Sequence, residues 1–96
     1  MLTWVIYDIE SNKIRTKVAK VCKNAGLYRV QKSVFLGTLE DSEFDELKLR
    51  MEGLVDLEKD SVYVFPMNKS ELKACGLIGQ AFDKELVTDE IISKFF

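Results

Sequence analysis

Asp8 is the only acid in an otherwise apolar and aromatic run, Leu2 to Ile9, and it stands near the end of that run, just before Glu10-Ser11-Asn12. The C-terminal ends of strands are where α/β chains place ligand-binding groups. A carboxylate there serves equally as an Asx-type turn leading into a helix or as an oxygen ligand for a hard cation. One carboxylate makes a poor metal site. Two, brought together across a dimer axis, would hold one Mg²⁺ or Mn²⁺ with water filling the remaining octahedral positions. Few other chemistries are open to this chain. Its 96 residues contain no histidine, which removes the usual neutral-pH proton shuttle and the commonest metal-binding ring. Ser-His-Asp, Cys-His and paired-histidine nuclease mechanisms are excluded. Cys22 and Cys75 are too far apart in sequence for a C-x-x-C motif, and two thiols without imidazoles do not complete a tetrahedral zinc shell. If the chain hydrolyses a phosphodiester, the route left is a hard cation on carboxylate oxygens.

The cations that would accompany such chemistry are unevenly placed. Fourteen Lys and Arg against sixteen Asp and Glu give a net charge of -2, which argues against a nucleic-acid binder only if the charge is evenly spread. Met1 to Leu39 holds seven bases and two acids, whereas Glu40 to Asp60 holds nine acids and three bases. Lys13, Lys17 and Lys20 form one stripe beside the apolar positions Ile14, Val18 and Val21, and Arg15 lies on the far border of the apolar face. Such a stripe reads as a solvated helix face or as a row of phosphate contacts holding a nucleic-acid backbone.

These residues must be carried by a single domain. The run Leu2 to Ile9 reads as a strand. A helix follows, with Ser11 or Asn12 as N-cap and Gly26 as the left-handed stop. Tyr28 to Leu39 is one long strand or two short ones, with Val30, Val34 and Leu36 on one face and Arg29, Gln31, Ser33 and Phe35 on the other. A second helix begins at Asp41, buries Phe44, Leu47, Met51 and Leu54, and carries Ser42 with Asp45 as an approximate capping box. Ser61 to Met67 is a further strand, expected to leave the ladder at Pro66. Ser70 would cap a short helical turn, Leu77 to Phe82 would form a last strand, and Thr88 to Phe96 a terminal helix. The order is βαββαβ. With right-handed crossovers it gives an α+β, ferredoxin-like two-layer sandwich over residues 1–82, followed by an extension over 83–96.

In Leu2 to Ile9 both alternating sets are apolar, the pattern of a strand buried on both faces. Two helices cover only one face, so a homodimer is expected to cover the other. No apolar stretch approaches the ~20 residues of a membrane span. With no signal-like N-terminus and no disulfide framework, the cytoplasm is the expected compartment.

Tyr7-Asp8-Ile9, then Arg15 and Val18, the segment G-L-Y-R-V-Q-K-S-V-F-L-G from Gly26 to Gly37, and D-S-V-Y-V-F-P-M from Asp60 to Met67 closely resemble the small CRISPR-associated adaptation protein family, the smaller partner of the spacer integrase. The resemblance runs to about Gly79. It implies a ferredoxin-like homodimer that bridges two dimers of the larger integrase and binds RNA or DNA, with a Mg²⁺- or Mn²⁺-dependent endonuclease activity described for members. It further implies that Asp8 is the metal ligand shared by two subunits, and that Tyr7, Arg15, Arg29 and Phe35 surround the catalytic cleft. Lys17 stands where some relatives carry Arg, which keeps the charge and loses the bidentate fork. Together with the residue pattern, the implied nucleic-acid contacts are Lys13, Arg15, Lys17, Lys20 and Arg29. Two other roles fit the same sequence: a structural scaffold that breaks no bond, and a toxin-type ferredoxin-like ribonuclease that needs no integrase.

Overall fold

The computed structural model describes residues 1–79. Strand β1 (Leu2–Asp8) leads into helix α1 (Asn12–Asn24), then β2 (Tyr28–Gln31), β3 (Val34–Thr38), helix α2 (Asp41–Leu54), β4 (Ser61–Met67) and a short helix α3 (Lys69–Ala74). The sheet order is β2-β3-β1-β4 and every neighbouring pair is antiparallel. This is the ferredoxin-like arrangement expected from the element order.

Local chemistry sets the boundaries of α1. The Ser11 hydroxyl accepts a hydrogen bond from the Ile14 backbone N–H at 3.3 Å, satisfying one of the four unpaired donors of the first turn. At the other end Gly26 takes φ +91°. Its N–H bonds the Lys23 carbonyl while that of Leu27 bonds the Cys22 carbonyl, both at 3.0 Å. This is a Schellman stop, and the left-handed residue at its centre is cheapest as glycine. Gly37 in β3 is needed for a different reason. A Cβ there would lie 2.9 Å from Leu27 Cδ2 and 3.1 Å from Leu27 Cα, so its absence lets the chain entering β2 pack down on the sheet.

The Tyr28 to Leu39 segment is two strands joined by a tight turn at Lys32–Ser33, with a register shift between Arg29 and Gln31. Its two faces divide as expected. Phe35 joins Val5, Tyr7 and Ile9 under α1 and α2, while Val30, Val34 and Leu36 join Leu2 and Trp4 on the opposite face. α2 buries Phe44, Leu47 and Met51 as its spacing requires. Its cap differs from the expected pair: Glu40 is the N-cap, and Glu43, not Asp45, accepts the N-cap backbone N–H, at 2.8 Å. β4 runs through Pro66, which stays in register with Thr3. β4 is an edge strand, where a residue without an N–H is tolerated.

The second face of β1 is covered in part by the chain itself. α3 is capped by Asn68, whose side chain accepts from the Glu71 N–H at 2.7 Å, and not by Ser70. It sets Leu72, fully buried, against Leu2, Trp4 and Leu36. Beside it the Trp4 indole N–H points at Met67 Sδ, 3.2 Å away, and its ring stacks on Phe65 at 6.2 Å. Leu2 and Trp4 therefore need no second copy to be buried, which corrects the packing argument for a dimer. Leu77 and Ile78 stand outside any strand of this chain, and Ile78 is 89% exposed. The rest of the expected last strand, the extension over residues 83–96 and the terminal helix lie outside the described residues.

Leu72→Ala is expected to lower the unfolding free energy by about 2–5 kcal/mol through loss of apolar contact and the cavity left behind. Leu57→Ala, at an exposed position, is expected to stay within about 0.5 kcal/mol of the parent. Urea denaturation of both variants checks this, and equal losses would show that α3 is not a structural cover.

Candidate functional site

Asp8 is exposed at the end of β1, where the chain turns toward α1. Among the described residues its carboxylate accepts no hydrogen bond and joins no ion pair. It lines an open cleft of about 740 Å³ with Tyr7, Asn12, Arg15, Lys20, Lys23, Arg29, Lys32 and Ser33. Five cations and one acid line this cleft, in a chain whose net charge is -2. Local concentration of positive field, and not net charge, governs attraction of a polyanion.

The two arginines are fixed by groups other than Asp8. Arg15 Nη1 donates to the carbonyls of Ile9 at 2.8 Å and Glu10 at 3.1 Å, tying α1 to the end of β1. Arg29 donates from Nη2 to the Tyr7 hydroxyl at 3.3 Å, and its guanidinium carbon lies 5.2 Å from the Phe35 ring centroid. Within 6 Å of a ring face the aromatic quadrupole attracts a cation. Tyr7 stacks on Phe35 with centroids 6.3 Å apart, and its hydroxyl donates to the Lys32 carbonyl at 3.4 Å. Tyr7 and Phe35 are buried at 4% and 0% exposure. They form a platform that aims Arg29, with little surface of their own for a substrate. Among the described residues neither guanidinium pairs with Asp8.

The lysine stripe is divided. Lys20 lines the cleft, whereas Lys13 and Lys17 do not. Successive helical residues are offset by ~100°, which turns Lys17 ~60° further than Lys20 from the flank formed by Asn12, Thr16, Ala19 and Lys23; Lys13 shares the bearing of Lys20 to within ~20° and differs from it in lying seven residues nearer the start of α1. Lys23 and Lys32 complete the cleft's cations and were not among the expected site residues. Lys23 was detectable from its helical spacing to Asn12 and Thr16, while Lys32 depends on the hairpin turn, which no turn residue in the sequence marks.

The donor set bears on a metal. Among the described residues no cluster of three or more His, Cys, Asp or Glu is present. Asp8 offers one unengaged hard oxygen ligand, which suits Mg²⁺ or Mn²⁺, and one chain alone does not complete their coordination. The nearby Asp60 is occupied: its two oxygens accept the backbone N–H groups of Glu10 at 3.2 Å and Asp56 at 2.9 Å.

The sequence and fold of this cleft-bearing unit match known proteins. The family model described as CRISPR associated protein Cas2 matches residues 1–74. The chain belongs to the Cas2 family. The CRISPR-associated endoribonuclease Cas2 of Korarchaeum cryptofilum is 37% identical over 78 residues, which span 79% of this chain and 82% of that one. The CRISPR-associated endonuclease Cas2 of Halalkalibacterium halodurans is 36% identical over 75 residues, 73% of this chain and 77% of that one. Among solved structures, Streptococcus pyogenes Cas2 superposes with a TM-score of 0.71 at 30% identity, over 82% of this chain and all of that one. Ferredoxin-like folding and Cas2 membership thus agree with the resemblance read from the Gly26 to Gly37 segment. No helix among the described residues is long and apolar enough to cross a membrane.

Cys22 lies beneath the cleft, fully buried. Burial pushes its thiol from the ordinary 9.0 up to about 12, and the Arg29 charge pulls it partly back. The thiolate is the nucleophile, so this thiol is an apolar core group. A group held protonated in the fold stabilises it fully below the unfolded-state value and loses that contribution as pH rises from about 9 toward 12. Cys22→Ala is expected to flatten this alkaline loss relative to the parent in denaturation curves taken across that range; an unchanged alkaline limb would contradict it.

Proposed function

We propose that this Cas2-family chain acts in CRISPR adaptation as a homodimer that holds RNA or DNA in the cleft beside Asp8 and cleaves its phosphodiester backbone with Mg²⁺ or Mn²⁺. The observation that carries this is one unengaged carboxylate at a strand end, surrounded by five cations in a single cleft. Asp8 of each copy would hold the ion, and the ion would supply charge neutralisation at the reacting phosphate. Arg15, anchored on two carbonyls, and Arg29, aimed by Tyr7 and Phe35, keep further N–H donors for phosphate oxygens on which charge develops. Because their anchors are already in place before substrate arrives, little ordering is required at the moment of reaction. The names endoribonuclease and endonuclease carried by the two relatives support hydrolysis of this bond class.

A second reading is favoured by one feature. With one carboxylate lining the cleft of each copy and no histidine, no side chain among the described residues is placed as a general base. A dimer that only presents cations to a nucleic acid and spaces the larger integrase would need none.

Asp8→Ala separates the two. The nuclease reading expects loss of Mg²⁺-dependent cleavage by rigorously purified protein, with nucleic-acid binding retained. Unchanged cleavage after Asp8→Ala would overturn it, and spacer acquisition that survives the substitution supports the scaffold. Small-angle scattering at micromolar concentration is expected to give twice the chain mass; a monodisperse monomer would sink the shared-ion arrangement.

A further inference from the structure

The cleft extends well beyond Asp8. From Asn12 to Lys23, both in its wall, α1 rises about 16 Å. Arg15 stands in the first turn of that flank, and Lys20 and Lys23 stand in its last two. On the other wall, at the end of the sheet where β1 emerges, Lys32 sits on the β2–β3 turn, with its carbonyl held by the Tyr7 hydroxyl and the next carbonyl, of Ser33, by the Tyr7 backbone N–H at 3.0 Å. Lys20, Lys23 and Lys32 form no ion pair among the described residues, so no side chain described there cancels their charge. The flank between Arg15 and Lys23 carries the short side chains Thr16 and Ala19, and lysine ammonium groups are partners for phosphate oxygens, contacts that fix register without reading sequence.

We infer that Lys20, Lys23 and Lys32 form a phosphate-binding subsite that holds the nucleic-acid backbone along the cleft, from Lys32 at the sheet end that carries Asp8 to Lys20 and Lys23 in the last turns of α1, and that Lys13 and Lys17 take no part in it. This rests on the nucleic-acid reading above and deepens it by assigning which cations hold the strand. α1 supplies one row of the clamp and the hairpin turn the other. Tyr7 is a positioning residue in this arrangement. Its hydroxyl joins the Arg29 side chain to the Lys32 backbone, and so sets the separation between the hairpin's two cations without touching substrate.

The test is titration of the full chain and its variants, over a range of salt concentrations, with a mixed-sequence DNA duplex and a single-stranded RNA of equal length. Each of Lys20→Gln, Lys23→Gln and Lys32→Gln is expected to reduce the magnitude of the slope of log affinity against log salt by about 0.9 on the duplex or about 0.7 on the single strand. Lys13→Gln and Lys17→Gln are expected to leave it unchanged. Tyr7→Phe removes no charge and is expected to keep the slope while weakening binding several-fold. The subsite is overturned if the parent binds and its slope survives the three cleft substitutions, or if Lys13→Gln and Lys17→Gln reduce it equally. If the parent binds neither probe, the nucleic-acid reading itself falls.

Discussion

The two-sided burial of β1 is the constraint from which the rest of the molecule follows. β1 pairs with β3 along one edge and β4 along the other, so its backbone is satisfied within the sheet. Val5, Tyr7 and Ile9 then enter the core under α1 and α2, and Leu2 and Trp4 enter a second cluster under α3. A strand so enclosed tolerates a charge only where it emerges. Asp8 is at that point: it is still paired in register with Ser61 on β4, yet its side chain is exposed. The rigidity that fixes the carboxylate comes from apolar burial a few residues earlier in the same strand.

The same core orients the cations. Phe35 is fully buried and takes the Tyr7 ring against one side and the Arg29 guanidinium against its face. The platform is therefore continuous with the hydrophobic core, and a loss of packing under it would displace Arg29 without removing any charge. Arg15 is tied down independently, by the carbonyls at the chain reversal after β1. Because both anchors are neutral groups, the two guanidiniums keep their full charge for the cleft, and Asp8 keeps its own.

Much of this was legible in the sequence because local rules and packing agreed. Ser11 and Gly26 bracket α1 as a cap and a left-handed stop, and the alternation of Val30, Val34 and Leu36 against Arg29 and Phe35 fixed which face each would join. What escaped was decided by distant contacts. A short helical turn was expected where α3 lies, but its cap is Asn68 and not Ser70, and only Leu72 beneath Trp4 shows that it covers the sheet. The lysine stripe looked continuous as a one-dimensional pattern, but the cleft is lined by Lys20 and Lys23 and not by Lys13 or Lys17, a division that depends on where the hairpin stands along α1. Lys32 reaches the cleft through a turn that contains neither glycine nor proline.

A net charge of -2 would repel a polyanion from a uniformly charged sphere, so the segregation of charge has to outweigh it. The acids concentrate in α2 and its flanks. Glu40, Asp41 and Glu43 begin that helix, where its dipole favours negative charge. Their placement is thus explained by helix stability and requires no partner. Interactions between exposed charges are largely screened beyond about 8 Å at physiological ionic strength, so acids outside the cleft wall oppose binding far less than the five cations within it favour it. Under the proposed function the cleft of each copy would attract a backbone by itself, whereas the ion would need carboxylates from two. Binding and bond cleavage would then depend differently on assembly: the first on each copy's own electrostatics, and the second on two strand ends meeting.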